Sequence, residues 1–153
     1  MFLSKVKIKD NEVEIHYGQR PLKTDSAETV YKSYDRPSPE FLACLQPLKS
    51  YLLQVLELDE DYGDNLTITG LTVKHENPDG DDDENYGCVI SGVKNLEESS
   101  APFCLNTPYI PPNRNENTKT VMDKYLADDI RTIEGFCERF IAGGERAQGE
   151  LFK

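Results

Sequence analysis

No stretch of this chain is long and apolar enough to span a membrane, and its first ten residues, MFLSKVKIKD, lack the apolar run of a secretory signal. Both absences point to a cytoplasmic protein without a membrane partner. No Cys-x-x-Cys pair occurs among the widely spaced Cys44, Cys88, Cys104 and Cys137. Three of the four fall inside helix or strand patterns, where cysteine behaves as a small buried hydrophobe. Reduced thiols are therefore expected rather than disulfides or metal ligands. A glycine-rich phosphate loop, a nucleophile elbow and a zinc signature are all missing. His16 and His75 stand on strand patterns with no serine, cysteine or carboxylate at a recognisable catalytic spacing. These absences exclude the common motif-bearing enzymes, and the expectation is a non-enzymatic protein with no cofactor and no metal.

Positive charge is also scarce. The 153 residues hold 17 Lys and Arg against 28 Asp and Glu, a net charge of −11. Such a balance repels phosphate at long range, which speaks against general binding of nucleic acid or anionic membrane and for protein partners. The deficit is uneven, since residues 1–36 carry +1 and the remaining 117 carry −12. The length fits one domain.

What is present reads as alternating strands and two helices. Centring a two-residue turn on Asp10-Asn11 sets Lys9 against Glu12, Ile8 against Val13, Lys7 against Glu14, Val6 against Ile15 and Lys5 against His16. One face of this hairpin is then aliphatic and the other carries opposite charges. A third strand is expected over Glu28–Tyr34. The stretch Ser38–Leu58 reads as an amphipathic helix. Ser38 caps it, Pro39 and Glu40 suit its first turn, and Phe41, Leu45, Leu48, Leu52, Val55 and Leu56 form its stripe. Pro47 should kink it on the polar side, where Gln46 also lies. Further strands follow over Leu66–His75, with a bulge at Gly70, over Tyr86–Val93 and over Phe103–Asn106. A final helix is expected over Thr118–Ala142, capped by Asn117, with Met122, Leu126, Ile130, Ile133, Cys137 and Phe140 on one face and Gly143-Gly144 as its stop. The order βββαβββα implies an α+β fold: a single antiparallel sheet of about six strands with both helices on one face. Residues 1–143 would form the domain and 144–153 an exposed tail.

Four groups of residues are candidates for function. Asp79, Asp81, Asp82, Asp83 and Glu84 form an acidic loop that begins like a calcium loop. However, Glu84 stands where that motif needs glycine, and Ile90 where it needs glutamate. With the acidic run Glu57–Asp64 it brackets a ten-residue strand about 30 Å long, an arrangement that could imitate the phosphates of DNA and so inhibit a host nuclease or defence complex. Asp129 projects from the apolar side of the last helix, where a carboxylate needs a partner or a raised pKa. Lys5, Lys7, Lys9, Tyr17 and Arg20 combine charge with an aromatic ring, a mixture able to hold single-stranded DNA.

The fourth group is in the tail. Gln148-Gly149-Glu150-Leu151-Phe152 resembles the peptide by which bacterial polymerases and repair factors bind the sliding clamp, usually written QL(S/D)LF. The resemblance implies that Gln148 is held by polar groups beside a groove and that Leu151 and Phe152 fill an apolar pocket. Gly149 and Glu150 depart from the usual residues, and Gly149 adds entropy to be lost on binding. The whole chain also resembles small bacteriophage and prophage proteins of the replication–recombination region. Together these resemblances imply an accessory protein of DNA replication or recombination that docks on a host sliding clamp.

Overall fold

The computed structural model describes residues 1–10, 12–18, 28–75, 86–96, 98–99, 101–112 and 121–147. Strands β1 (Phe2–Lys9) and β2 (Glu12–Gly18) form the expected hairpin in the expected register, from Lys9 opposite Glu12 to Lys5 opposite His16. Asp10, in the turn, takes the left-handed conformation at φ 50°. Val6, Val13 and Ile15 are fully buried and Ile8 nearly so, which pins the register, because a slip of one residue would turn all of them to water. Strand β3 (Thr29–Ser33) adds to the outer edge of β2.

Strands β4 (Leu66–His75), β5 (Tyr86–Asn95) and β6 (Pro102–Asn106) form a second antiparallel run. The β4–β5 register shifts between Ile68 and Gly70, so the bulge falls at the glycine. The two runs join through β1 and β4 into one six-stranded antiparallel sheet of order β3-β2-β1-β4-β5-β6. That join is narrow, pairing only Lys5–Lys7 with Thr72–Gly70.

The helical segment after Ser38 is broken more deeply than a kink. Helix α1 (Pro39–Cys44) is capped by Ser38, whose hydroxyl accepts from the Phe41 amide at 3.1 Å. Pro47 then forces a 3₁₀ turn over Gln46–Leu48 before α2 (Lys49–Val55) resumes. The turn swings Gln46 away from its expected outward position. Its amide instead donates to the Ile68 carbonyl and accepts from the Ile68 amide, both at 3.1 Å, satisfying the backbone where β1 has parted from β4. Glu57, at φ 57°, ends the helix short of the expected Leu58.

The last helix, α3 (Lys124–Ile141), starts later than expected. Asp123 is its cap, accepting from the Leu126 amide at 2.7 Å, and Met122 is held off the helix by its amide's bond to the Pro111 carbonyl. The expected cap, Asn117, lies outside the described residues. Leu126, Ile130, Ile133, Cys137 and Phe140 form the buried stripe. Gly143, at φ 105°, stops the helix, and the Gly143 and Gly144 amides bond the Phe140 and Arg139 carbonyls.

All three helices lie on one face of the sheet, α3 against β1 and α1, α2 against β4 and β5. The core is the layer between, where Phe41 stacks on Phe136 and meets Phe140 edge-on. The fold is thus α+β, with one face of the sheet covered and the other bare among the described residues. All four cysteines are free: Cys88 and Cys137 are buried, Cys44 is half-buried, and Cys104 is exposed.

Candidate functional site

Strand alternation sorts the candidate residues between the two faces. Lys5, Lys7 and Lys9 alternate with buried Val6 and Ile8 and stand on the bare face. Tyr17 does not join them. It is two residues beyond Ile15, hence on the same side, and packs part-buried against the core. The stacking partner expected for the lysines is therefore on the opposite face. Arg20 lies outside the described residues, as do Asp79, Asp81, Asp82, Asp83 and Glu84 of the acidic loop and Gln148, Leu151 and Phe152 of the tail motif.

The bare face carries a trough of about 370 Å³. Lys5, Lys7 and Lys9 form one wall, Thr72, Val89 and Ser91 its floor, and Cys104 and Asn106 of β6 the other wall. Crossing from β1 to β6 takes three inter-strand steps, about 14 Å. Charge on this face is unequal. Toward β3, Glu14 binds His16 at 2.7 Å and Lys32 at 3.4 Å, and these bonds, the one from His16 foremost, hold its carboxyl below the usual range. Glu28 in turn lies 3.4 Å from His16 and accepts from Ser4. Among the described residues, Lys5, Lys7 and Lys9 have no ion-pair or hydrogen-bond partner. Sequence reading saw the lysines but not the opposite wall. The outward phase of Thr72, Val89 and Ser91 was visible as alternation, yet nothing local announced that β1 would pair with β4.

The C-terminal segment is fastened to the body as far as Ala147, four residues beyond the expected boundary at Gly143. The Ser38 amide donates to the Glu145 carbonyl at 2.6 Å, and the Ser38 hydroxyl donates to the Glu145 carboxylate. Arg146 is the hub. It donates to Asp35 and to the Tyr31 hydroxyl, each at 2.8 Å, and to the carbonyls of Phe140 and Gly144, while its guanidinium lies 4.1 Å over the Phe140 ring. The bond from Arg146 holds the Asp35 carboxyl below its usual range. Ala147 then donates to the Arg36 carbonyl at 2.9 Å. Arg36 also lines a second depression, about 540 Å³, with Ile8, Pro37, Leu42, Val93 and Pro102.

Asp129 is half-buried. Desolvation, then the charges of Asp128 and Asp123, push its carboxyl upward, and it in turn helps raise Tyr51. No hydrogen-bond partner for its side chain is found among the described residues. Among the described residues no group of three His, Cys, Asp or Glu could hold a metal ion, and no helix is long and apolar enough to cross a membrane.

Compared with known proteins, the chain matches no family model, no curated protein and no solved structure.

Proposed function

We propose that this protein is a non-enzymatic cytoplasmic accessory factor of phage-type DNA replication or recombination, held on the bacterial sliding clamp by its C-terminal peptide. The observation that carries the reading is where the peptide begins. Gln148 follows directly on Ala147, the last residue of a segment tied down through Ser38, Asp35, Tyr31 and Arg36. A clamp bound to Gln148, Leu151 and Phe152 would be joined to the body without a long tether. Short connections give effective concentrations up to about millimolar, so weak contacts of the body with DNA or with another protein at the clamp would suffice.

The competing occupant of Leu151 and Phe152 is the chain itself. The depression beside Arg36 has apolar walls in Ile8, Pro37, Leu42 and Val93. Phe152, five residues past Ala147, is within about 17 Å of extended chain from that anchor.

Retention on immobilised clamp separates the two. The wild-type protein is expected to be retained and the Leu151→Ala/Phe152→Ala variant to be lost, by tenfold or more in affinity if the pair fills an apolar pocket. Equal retention of the two proteins rejects clamp docking. A lower melting temperature of the double variant in the absence of clamp assigns the pair to the chain's own depression.

A further inference from the structure

We propose that the trough on the bare sheet face binds the backbone of single-stranded nucleic acid, with Lys5, Lys7 and Lys9 as its phosphate contacts. The inference does not rest on the clamp reading, because it uses only the body of the protein.

The first argument is the contrast of local with overall charge. In a chain of net charge −11, three lysines alternate along one strand, their side chains without an ion-pair or hydrogen-bond partner among the described residues. Acids are at hand: Glu12 and Glu14 stand opposite Lys9 and Lys7 on β2, yet Glu14 is engaged by His16 and Lys32. That leaves Glu12 alone beside three lysines, so the row keeps a net positive charge, and its complement is an anion with a repeating charge.

The second argument is spacing. Residues i, i+2 and i+4 of a strand lie about 7 Å apart in a straight line. That matches the step between successive phosphates of an extended single strand, so one strand can meet all three ammonium groups at once. The trough beside them is about 14 Å across and concave, and a flexible strand can lie in it where a rigid duplex would ride on its rims. Between floor and far wall the Ser91 hydroxyl donates to the Asn106 side-chain oxygen at 2.6 Å, which turns the Asn106 amide N–H groups, a type that commonly contacts phosphate and sugar oxygens, toward the trough.

The third argument concerns what the trough lacks. Among the described residues its lining contains no aromatic side chain on which a base could stack. Binding is then carried by phosphates, indifferent to sequence and steeply dependent on salt.

The test uses a fluorescent oligothymidylate of about 20 nucleotides and the full chain, in the absence of clamp, at about 50 mM salt and upward. Wild type is expected to bind. The Lys5→Ala/Lys7→Ala/Lys9→Ala variant should bind at least tenfold more weakly, and its slope of log affinity on log salt should fall by about 2, as losing three single-strand phosphate contacts requires. Lys124→Ala, at the start of α3 on the covered side, should bind as wild type does. Cys104, the exposed thiol on the far wall, supplies a readout that needs no substitution. Burial pushes Cys44 and Cys88 up to about 12 and Cys137 well above its ordinary value, while Cys104 is the exposed thiol and so the most accessible to alkylation, which bound oligonucleotide should slow. No binding by wild type, equal binding by the triple variant, or no protection of Cys104 overturns the proposal. So does tighter binding of duplex, or binding of polyglutamate in place of the oligonucleotide, which would mark the trough as a site for an acidic protein. Loss of clamp retention with oligonucleotide binding intact, or the reverse, shows which of the two readings has failed.

Discussion

On β1, Val6 and Ile8 point into the helices and are almost wholly buried, while their neighbours Lys5, Lys7 and Lys9 point to water. The same contrast runs across the sheet. Ile68, Leu71, Cys88 and Ile90 face the helices, and Thr72, Val89 and Ser91 face the trough. One set of strands therefore presents two surfaces under different constraints. The covered face is selected by packing: each side chain removed from water contributes about 1.5–3 kcal/mol, and its shape must fit α1, α2 and α3. The bare face contributes little to folding, so its composition is free to answer to a partner. Even there the two ends differ. Toward β3 the charges cancel in the Glu14, His16 and Lys32 cluster, and toward β4 they do not.

If this division is right, substitutions on the two faces should separate by size of effect. Phe140 is fully buried, meeting Phe41 and Tyr31 edge-on. Phe140→Ala should cost about 3–5 kcal/mol in urea unfolding, whereas Val30→Ala, on the bare face and 48% exposed, should stay within about 0.5 kcal/mol. Comparable losses at the two sites would mean that the bare face is covered in solution. Arg146 should come next. Arg146→Ala removes the donor shared by the Phe140 carbonyl, Asp35 and the Tyr31 hydroxyl, and should cost about 1–3 kcal/mol. Proteolysis gives a second measure, since the variant should become cleavable within Glu145–Ala147, which wild type protects. A stable variant with an uncut C-terminus would show that Ser38 and Arg36 alone fasten the segment.

How much of this was legible beforehand depends on sequence distance. The hairpin register could be read because the turn and both strands lie within eighteen residues, and alternation left one pairing that buried every aliphatic. The same alternation already set Tyr17 with Ile15 on the core side, so its assignment to the lysine patch ignored a signal that was present. Pro47 announced a break but not its depth, and only the 3₁₀ turn it causes explains how Gln46 reaches Ile68. Asp123 is as good a cap by type as Asn117; what selects it is the bond from Met122 to Pro111, a contact no helical wheel contains. The trough was hidden for the same reason. Its walls come from β1 and β6, a hundred residues apart, and meet only through the three-residue pairing of β1 with β4.

The finest test of the comparison is a charge that sits in the covered layer. Glu134 on α3 is half-buried and accepts from the Leu3 amide at 3.1 Å. Desolvation raises its carboxyl above the usual value, with Glu138 adding repulsion, while the Leu3 bond, the N-terminal ammonium and Arg131 pull the other way without cancelling it. A raised folded-state pKa means that the folded protein holds this proton more tightly than the unfolded chain does. Its contribution to stability is therefore full below the ordinary carboxylate range and is lost as pH rises through the raised value. Glu134→Gln keeps an acceptor for Leu3 and carries no charge. It should melt about 1–3 °C above wild type at pH 7, and the difference should close as pH is lowered through the carboxylate range. Glu134→Ala should instead lower stability at every pH, because the Leu3 amide loses its acceptor. If Glu134→Gln were destabilising at pH 7, attraction to the N-terminus and Arg131 would outweigh desolvation, and the covered layer would tolerate charge at its rim as readily as the bare face does. The expected sign rests on the opposite premise: beneath the helices a polar group is kept for its hydrogen bond, and its charge is a cost.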